Sequence, residues 1–155
     1  MRYLLLFVFL FLASCVSMQT TPKLCKTNPG PQCMADVTAG PGNYVSNDIR
    51  EVLLVGMAWC EVTSPAAECS IAIHAAKQGG WTFRHSGNGE QMHVAVRLHP
   101  GDVLTSHTHV SLHGMLGCSP GDDEAARKLP IPVFVQTRTG KVIQCGGADI
   151  QTAAF

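Results

Sequence analysis

Between Thr105 and Asp122 the chain reads T-S-H-T-H-V-S-L-H-G-M-L-G-C-S-P-G-D, and several of its side chains are of the kinds that hold a metal ion. His107 and His109 are two residues apart in a β-prone segment, so on a strand both imidazoles leave the same face. After nine further residues comes Ser119-Pro-Gly-Asp122, whose carboxylate can supply a third ligand. Two histidine nitrogens, one carboxylate and a position left open make a tetrahedral zinc centre of the catalytic rather than the structural kind. The same residues also spell a helix start, with Ser119 as N-cap, Pro120 at the first position, acids at Asp122, Asp123 and Glu124, and bases at Arg127 and Lys128. On that account Asp122 only reaches back to its cap. The two descriptions coincide if a strand carrying both histidines is followed by a loop and by a helix whose first turn brings the acid to the same point.

Hydrolysis at such a centre needs a group that takes a proton from water, and three glutamates upstream are candidates. Glu51 falls within an amphipathic helix, where a charge faces solvent. Glu61 follows the expected end of that helix. Glu68 stands at the mouth of a strand that begins Cys69-Ser-Ile-Ala-Ile.

His107-x-His109, nine residues, then Ser119-x-x-Asp122 resembles the signature of the JAMM (JAB/MPN) metalloproteases, and the resemblance extends over residues 47–145 with its specific motif inside 105–122. Leu129 to Ile143 looks like the helix, strand, glycine turn and last strand of bacterial members. Val110 stands where that family has a proline after the second histidine. The resemblance implies an α+β, cytidine-deaminase-like layered domain and a Zn2+ ion held by His107, His109 and Asp122. It further implies Glu68 as the proton acceptor, since the family places its glutamate before a short strand, and Ser119 as hydrogen-bond donor to the oxyanion. Cap and donor roles then draw on one hydroxyl. The implied reaction is hydrolysis of a peptide or isopeptide bond in a protein or peptide substrate of the cell envelope. The alternative is a binding lipoprotein that keeps the fold without catalysis.

Several elements must position these residues. Ile49, Val52, Leu53, Gly56 and Met57 recur at helical spacing and predict a helix opening at Ser46-Asn47-Asp48, capped by Ser46 or Asn47. Thr63-Ser64-Pro65 ends it. Strands are expected over Cys69 to His74 and Trp81 to Arg84, then, after a Ser86–Gly89 loop, over the alternating Met92, Val94, Val96 and Leu98. Pro100-Gly101 turns into the strand bearing the two histidines. The order is helix, three or four strands, metal loop, helix and two strands, which predicts a central, mostly antiparallel sheet flanked by helices. His74, His85, His93 and His99 form no readable spacing, His113 reads as a solvated loop residue, and Trp81 and Phe83 as core or sheet surface.

Arg2 precedes an apolar run from Tyr3 to Leu12, too short to span a bilayer and followed by small residues, as in a secretory signal. Leu12-Ala13-Ser14-Cys15 resembles the bacterial lipobox, which implies cleavage after residue 14 and lipidation of Cys15. Val16 after that cysteine points to the outer membrane, facing the periplasm. Residues 15–45, rich in Pro, Gly and Thr, read as a lipid-anchored tether, or as a loop that a disulfide packs on the domain, and residues 46–155 as the domain. The chain of 155 residues carries 11 basic and 11 acidic side chains, a balance that argues against nucleic acid as a partner. Besides Cys15, six cysteines remain at 25, 33, 60, 69, 118 and 145, an even number that suggests disulfides in an exported chain. Sequence does not choose among their 15 pairings, although Cys25 with Cys33 is the local pair and a disulfide accounts for Cys118.

Overall fold

The computed structural model of the chain describes residues 36–90, 94–110 and 117–146. Cys15, the Cys25 and Cys33 pair, His93 and His113 lie outside them. Their elements are α1 (Ile49–Thr63), β1 (Cys69–Ala75), β2 (Trp81–Asn88), β3 (Asp102–Thr108), α2 (Pro120–Lys128), β4 (Val133–Gln136) and β5 (Val142–Gln144). The strands form one mixed sheet in the order β2-β1-β3-β4-β5. β1 runs antiparallel to β2 and β3, β3 parallel to β4, and β4 antiparallel to β5. The parallel pair requires a crossover, and α2 lies within it.

Strand alternation divides the residues between two faces. Ile71, Ile73, Phe83, Leu104 and Val142 join Val52, Leu53, Val55, Met57 and Cys60 of α1 in the larger core. Gly56 permits this close approach: a Cβ there would lie 2.4 Å from Ile71 Cδ1 and 3.1 Å from Phe83 Cγ. A disulfide between Cys60 and Cys69 ties the end of α1 to the start of β1. On the other face Val133, Val135, Ile143 and Cys145 form a smaller cluster, covered by Ala126 and Leu129 of the α2 region and by Cys118. There Cys118 is disulfide-bonded to Cys145.

Four local expectations are corrected. The cap of α1 is Asp48, which accepts from Arg50 N at 2.9 Å. Ser46 is drawn away by a bridge to Trp81, with Trp81 N donating to Ser46 O at 2.8 Å. Glu61 lies inside α1 rather than beyond it. The expected Ser86–Gly89 loop is largely strand, because the β1–β2 ladder continues past an irregularity at Ser70/Ile71 to Cys69↔Asn88, with Ser70 and Ser86 hydroxyls 2.8 Å apart. The described part of the expected Met92–Leu98 strand, residues 94–98, is irregular. It meets the sheet through the Gly89↔Val94 bridge and through Arg97 N, which donates to Ser86 O at 3.0 Å. Its half-buried Val94, Val96 and Leu98 keep an alternating pattern without a continuous ladder.

Residues 36–45, at the end of the expected tether, pack on this domain. Val37 belongs to the larger core, and Gly42 N donates to Phe83 O at 2.8 Å.

Candidate metal centre

β3 carries the first candidate ligand and is held between β1 and β4. His107 pairs with Ser70 of β1 and with Val135 of β4, so its backbone is fixed within the sheet and its side chain points to the α2 face. His109 lies just past the strand end, where its N–H donates to Gln136 O at 2.9 Å and continues the ladder by one step. The spacing of two then directs both imidazoles to one side. Both are buried, and their Nε2 atoms are 3.1 Å apart.

α2 supplies the third group. Ser119 caps it in an extended conformation, Pro120 follows, and Asp122 occupies the third helical position. A reciprocal capping box forms: Asp122 N donates to Ser119 Oγ at 3.2 Å, and Ser119 N donates to Asp122 Oδ2 at 2.7 Å. The carboxylate nevertheless reaches the histidines, with Oδ1 3.1 Å from His107 Nε2 and Oδ2 3.3 Å from His109 Nε2. The helix-cap and ligand readings of Asp122 are therefore compatible in one geometry. In the cap the Ser119 oxygen accepts the Asp122 amide and its hydroxyl hydrogen-bonds the Asp122 carboxylate, so donation to an oxyanion would draw on that same proton.

The donor set fits a divalent cation. Three ligand atoms, one from each of His107, His109 and Asp122, lie within 4.8 Å of one another. Bonds of 2.0–2.1 Å in tetrahedral geometry separate neighbouring ligand atoms by about 3.3 Å. The separations here are near that value, 3.1 Å between the two Nε2 atoms, 3.1 Å from His107 Nε2 to Asp122 Oδ1 and 3.3 Å from His109 Nε2 to the other carboxylate oxygen, Oδ2. Burial alone would push the Asp122 carboxyl up, but hydrogen bonds with His107, His109 and Ser119 outweigh it and hold the group well below the ordinary carboxylate range. It is thus ionised, as a ligand must be. The buried His109 Nδ1 has no hydrogen-bond partner among the described residues.

Glu68 is buried immediately before β1, its backbone paired with Gly89 and Glu90. Cys69 N next to it donates to Thr108 Oγ1 at 3.1 Å. Extending the Ser70↔His107 register by two residues sets Glu68 opposite His109 and on the same face as both histidines. Glu61 goes elsewhere, since its Oε1 accepts from Gln136 Nε2 at 2.9 Å toward the α1 face. Glu51 is exposed and accepts from the Ser46 hydroxyl. Of the other described histidines, His85 stands edge-on to Trp59 and bonds Asn88, and His99 anchors a turn through Asp102.

Gln136 and Thr108 were not singled out from sequence. The fully buried Gln136 accepts from His109 N through its backbone carbonyl and donates to Glu61 Oε1 through its side-chain amide, and Thr108 fixes the backbone beside Glu68. The only signal was polarity where the apolar strand Val133-Phe-Val ends.

A second trio, Cys118, Asp123 and Cys145, also brings ligand-type atoms within 4.8 Å, but its two sulfurs are bonded to each other. Comparison with known proteins finds no family model, no curated protein and no solved structure that matches this chain.

Proposed function

We propose that this protein is a lipid-anchored envelope hydrolase with a JAMM-like zinc site that cleaves a peptide or isopeptide bond. The observation that supports this most is the convergence of His107, His109 and Asp122 from a strand end and a helical first turn. Their order and spacing, and an acid at the start of the neighbouring strand, are those the JAMM resemblance implies. The α+β layering, with helices on both faces of a five-stranded sheet, is compatible with it.

His107, His109 and Asp122 would hold the ion. Zinc, when bound, lowers the pKa of water toward neutrality and polarises the scissile carbonyl. Glu68, on the histidine face, takes the proton from the attacking water and returns it to the leaving amine. The Ser119 hydroxyl donates to the oxygen on which negative charge develops. The sheet fixes the backbone of His107, the hydrogen bond to Gln136 O fixes that of His109, and both imidazoles are buried.

Elemental analysis of the purified mature protein tests the reading. About one zinc per chain is expected in the native protein and in Glu68→Gln, and none in His107→Ala. Chelator-sensitive cleavage of a peptide library is expected in the native protein and reduced about a hundredfold or more in Glu68→Gln. Zinc retained by His107→Ala would break the ligand assignment. Zinc bound with no cleavage would assign the chain to the non-catalytic binding alternative.

A further inference from the structure

The ligands come from supports of unequal strength. The two histidines belong to a strand paired on both sides, whereas Asp122 belongs to a helix of nine residues, none of them buried. So short a helix does not hold itself in place. Its contacts to the sheet gather at one corner. Cys118, directly before the cap residue Ser119, is bonded to Cys145 one residue past β5. Asp123 Oδ1 accepts from Gly146 N at 3.1 Å. Gly146 lies so close that a Cβ on it would stand 2.7 Å from the Ala126 Cβ. Apolar support comes from Ala126 and Leu129 against Val133, Val135, Ile143 and Cys145.

We infer that the Cys118–Cys145 disulfide, with the Asp123–Gly146 contact beside it, is the positioning device of the metal centre: it clamps the start of α2 to the end of β5 and thereby holds Asp122 at the histidines. This rests on the metal-site reading given above. The second disulfide, Cys60–Cys69, lies on the opposite face and binds α1 to β1, so it serves as an internal reference. Both cross-links restrict the unfolded chain, but only one bears on a ligand.

The test uses the full mature chain in three forms: native, Cys118→Ala/Cys145→Ala, and Cys60→Ala/Cys69→Ala. Zinc affinity is measured by titration calorimetry, and amide hydrogen exchange at Asp122 and Asp123 is measured in the metal-free protein. Loss of the Cys118–Cys145 clamp is expected to weaken zinc binding by about tenfold or more, the scale of effects from groups that support ligands. Exchange at the two amides is expected to accelerate by at least as much. Loss of the reference disulfide should leave both readouts within about twofold, whatever it does to thermal stability. Unchanged affinity in the clamp variant, or an equal fall in the reference variant, overturns the inference. If the clamp variant fails to fold, Asp123→Ala, which removes the contact to Gly146, is expected to weaken zinc binding about threefold or more; no change overturns the clamp. Failure of the native protein to bind zinc would remove the proposed function, and the clamp then stands or falls on the exchange rates alone.

Discussion

At the scale of single residues, the capping box and the candidate metal centre share Ser119 and Asp122. The serine oxygen accepts the Asp122 amide, and one carboxylate oxygen accepts the Ser119 amide while both oxygens face imidazoles. Ser119→Ala should therefore cost about 1 kcal/mol of stability through the lost cap. Ser119→Thr, which keeps an oxygen in the same place, should recover most of it. Urea denaturation of the three proteins checks this, and a Thr variant as unstable as Ala would mean that the hydroxyl is not the effective cap. The sequence alone presented these roles as rivals. For Asp122 they coincide in one geometry, because one carboxylate oxygen accepts the Ser119 amide while both face the imidazoles.

At the scale of elements, the strand bearing the histidines is anchored at its far end by a charged pair. Arg84 of β2 forms an ion pair with Asp102 at the start of β3, and also donates to Arg97 O at 2.7 Å. His99 N donates to the same carboxylate at 2.7 Å and closes the Pro100-Gly101 turn. Burial pushes the Asp102 carboxyl up, but the Arg84 and His99 hydrogen bonds prevail and hold it below its ordinary value of 3.8. A depressed folded pKa means that this carboxylate stabilises the fold above that ordinary value, and that the contribution drains away as pH falls through the lower folded one. Thermal melts between pH 5 and pH 2 should accordingly show a shallower acid loss in Asp102→Asn, which is less stable at the upper end of the range. Parallel curves for the two proteins would contradict it.

At the scale of the whole molecule, each face of the sheet carries an apolar cluster and, among the described residues, one disulfide, and these two cross-links reinforce a core of modest size. Residues 36–45 lie on the larger face, which shortens any tether that precedes the domain. Anchoring through Cys15 is a proposal carried by the lipobox-like Leu12-Ala13-Ser14-Cys15. Among the described residues, no helix is long and apolar enough to cross a membrane. Expressed as the full chain in a bacterium with lipoprotein processing, the protein should take up a clickable palmitate analogue and partition into detergent. Cys15→Ser should do neither, and labelling that survives in the variant would place the acyl chain on another residue.

How much could be read in advance differs by residue for physical reasons. The helix at Ile49–Thr63, the strands at Cys69, Trp81 and Asp102, and the capped helix at Pro120 were legible because their signals are local: a period of 3.6 or 2, a proline stop, a serine cap. The cap of α1 was misplaced by one or two residues because Ser46 is claimed by Trp81, a partner distant in sequence. Val94 to Leu98 has the alternation of a strand but only the partly paired edge of β2 to lie against, and alternation cannot report whether a partner exists. By itself, the sequence supplied the chemistry: which side chains can bind a cation, and that His107 and His109 share a face. Tertiary structure alone decided that Asp122 meets them, that Glu61 is spent on Gln136, and that cysteines 118 and 145 pair, since each depends on distances between segments that no local pattern encodes.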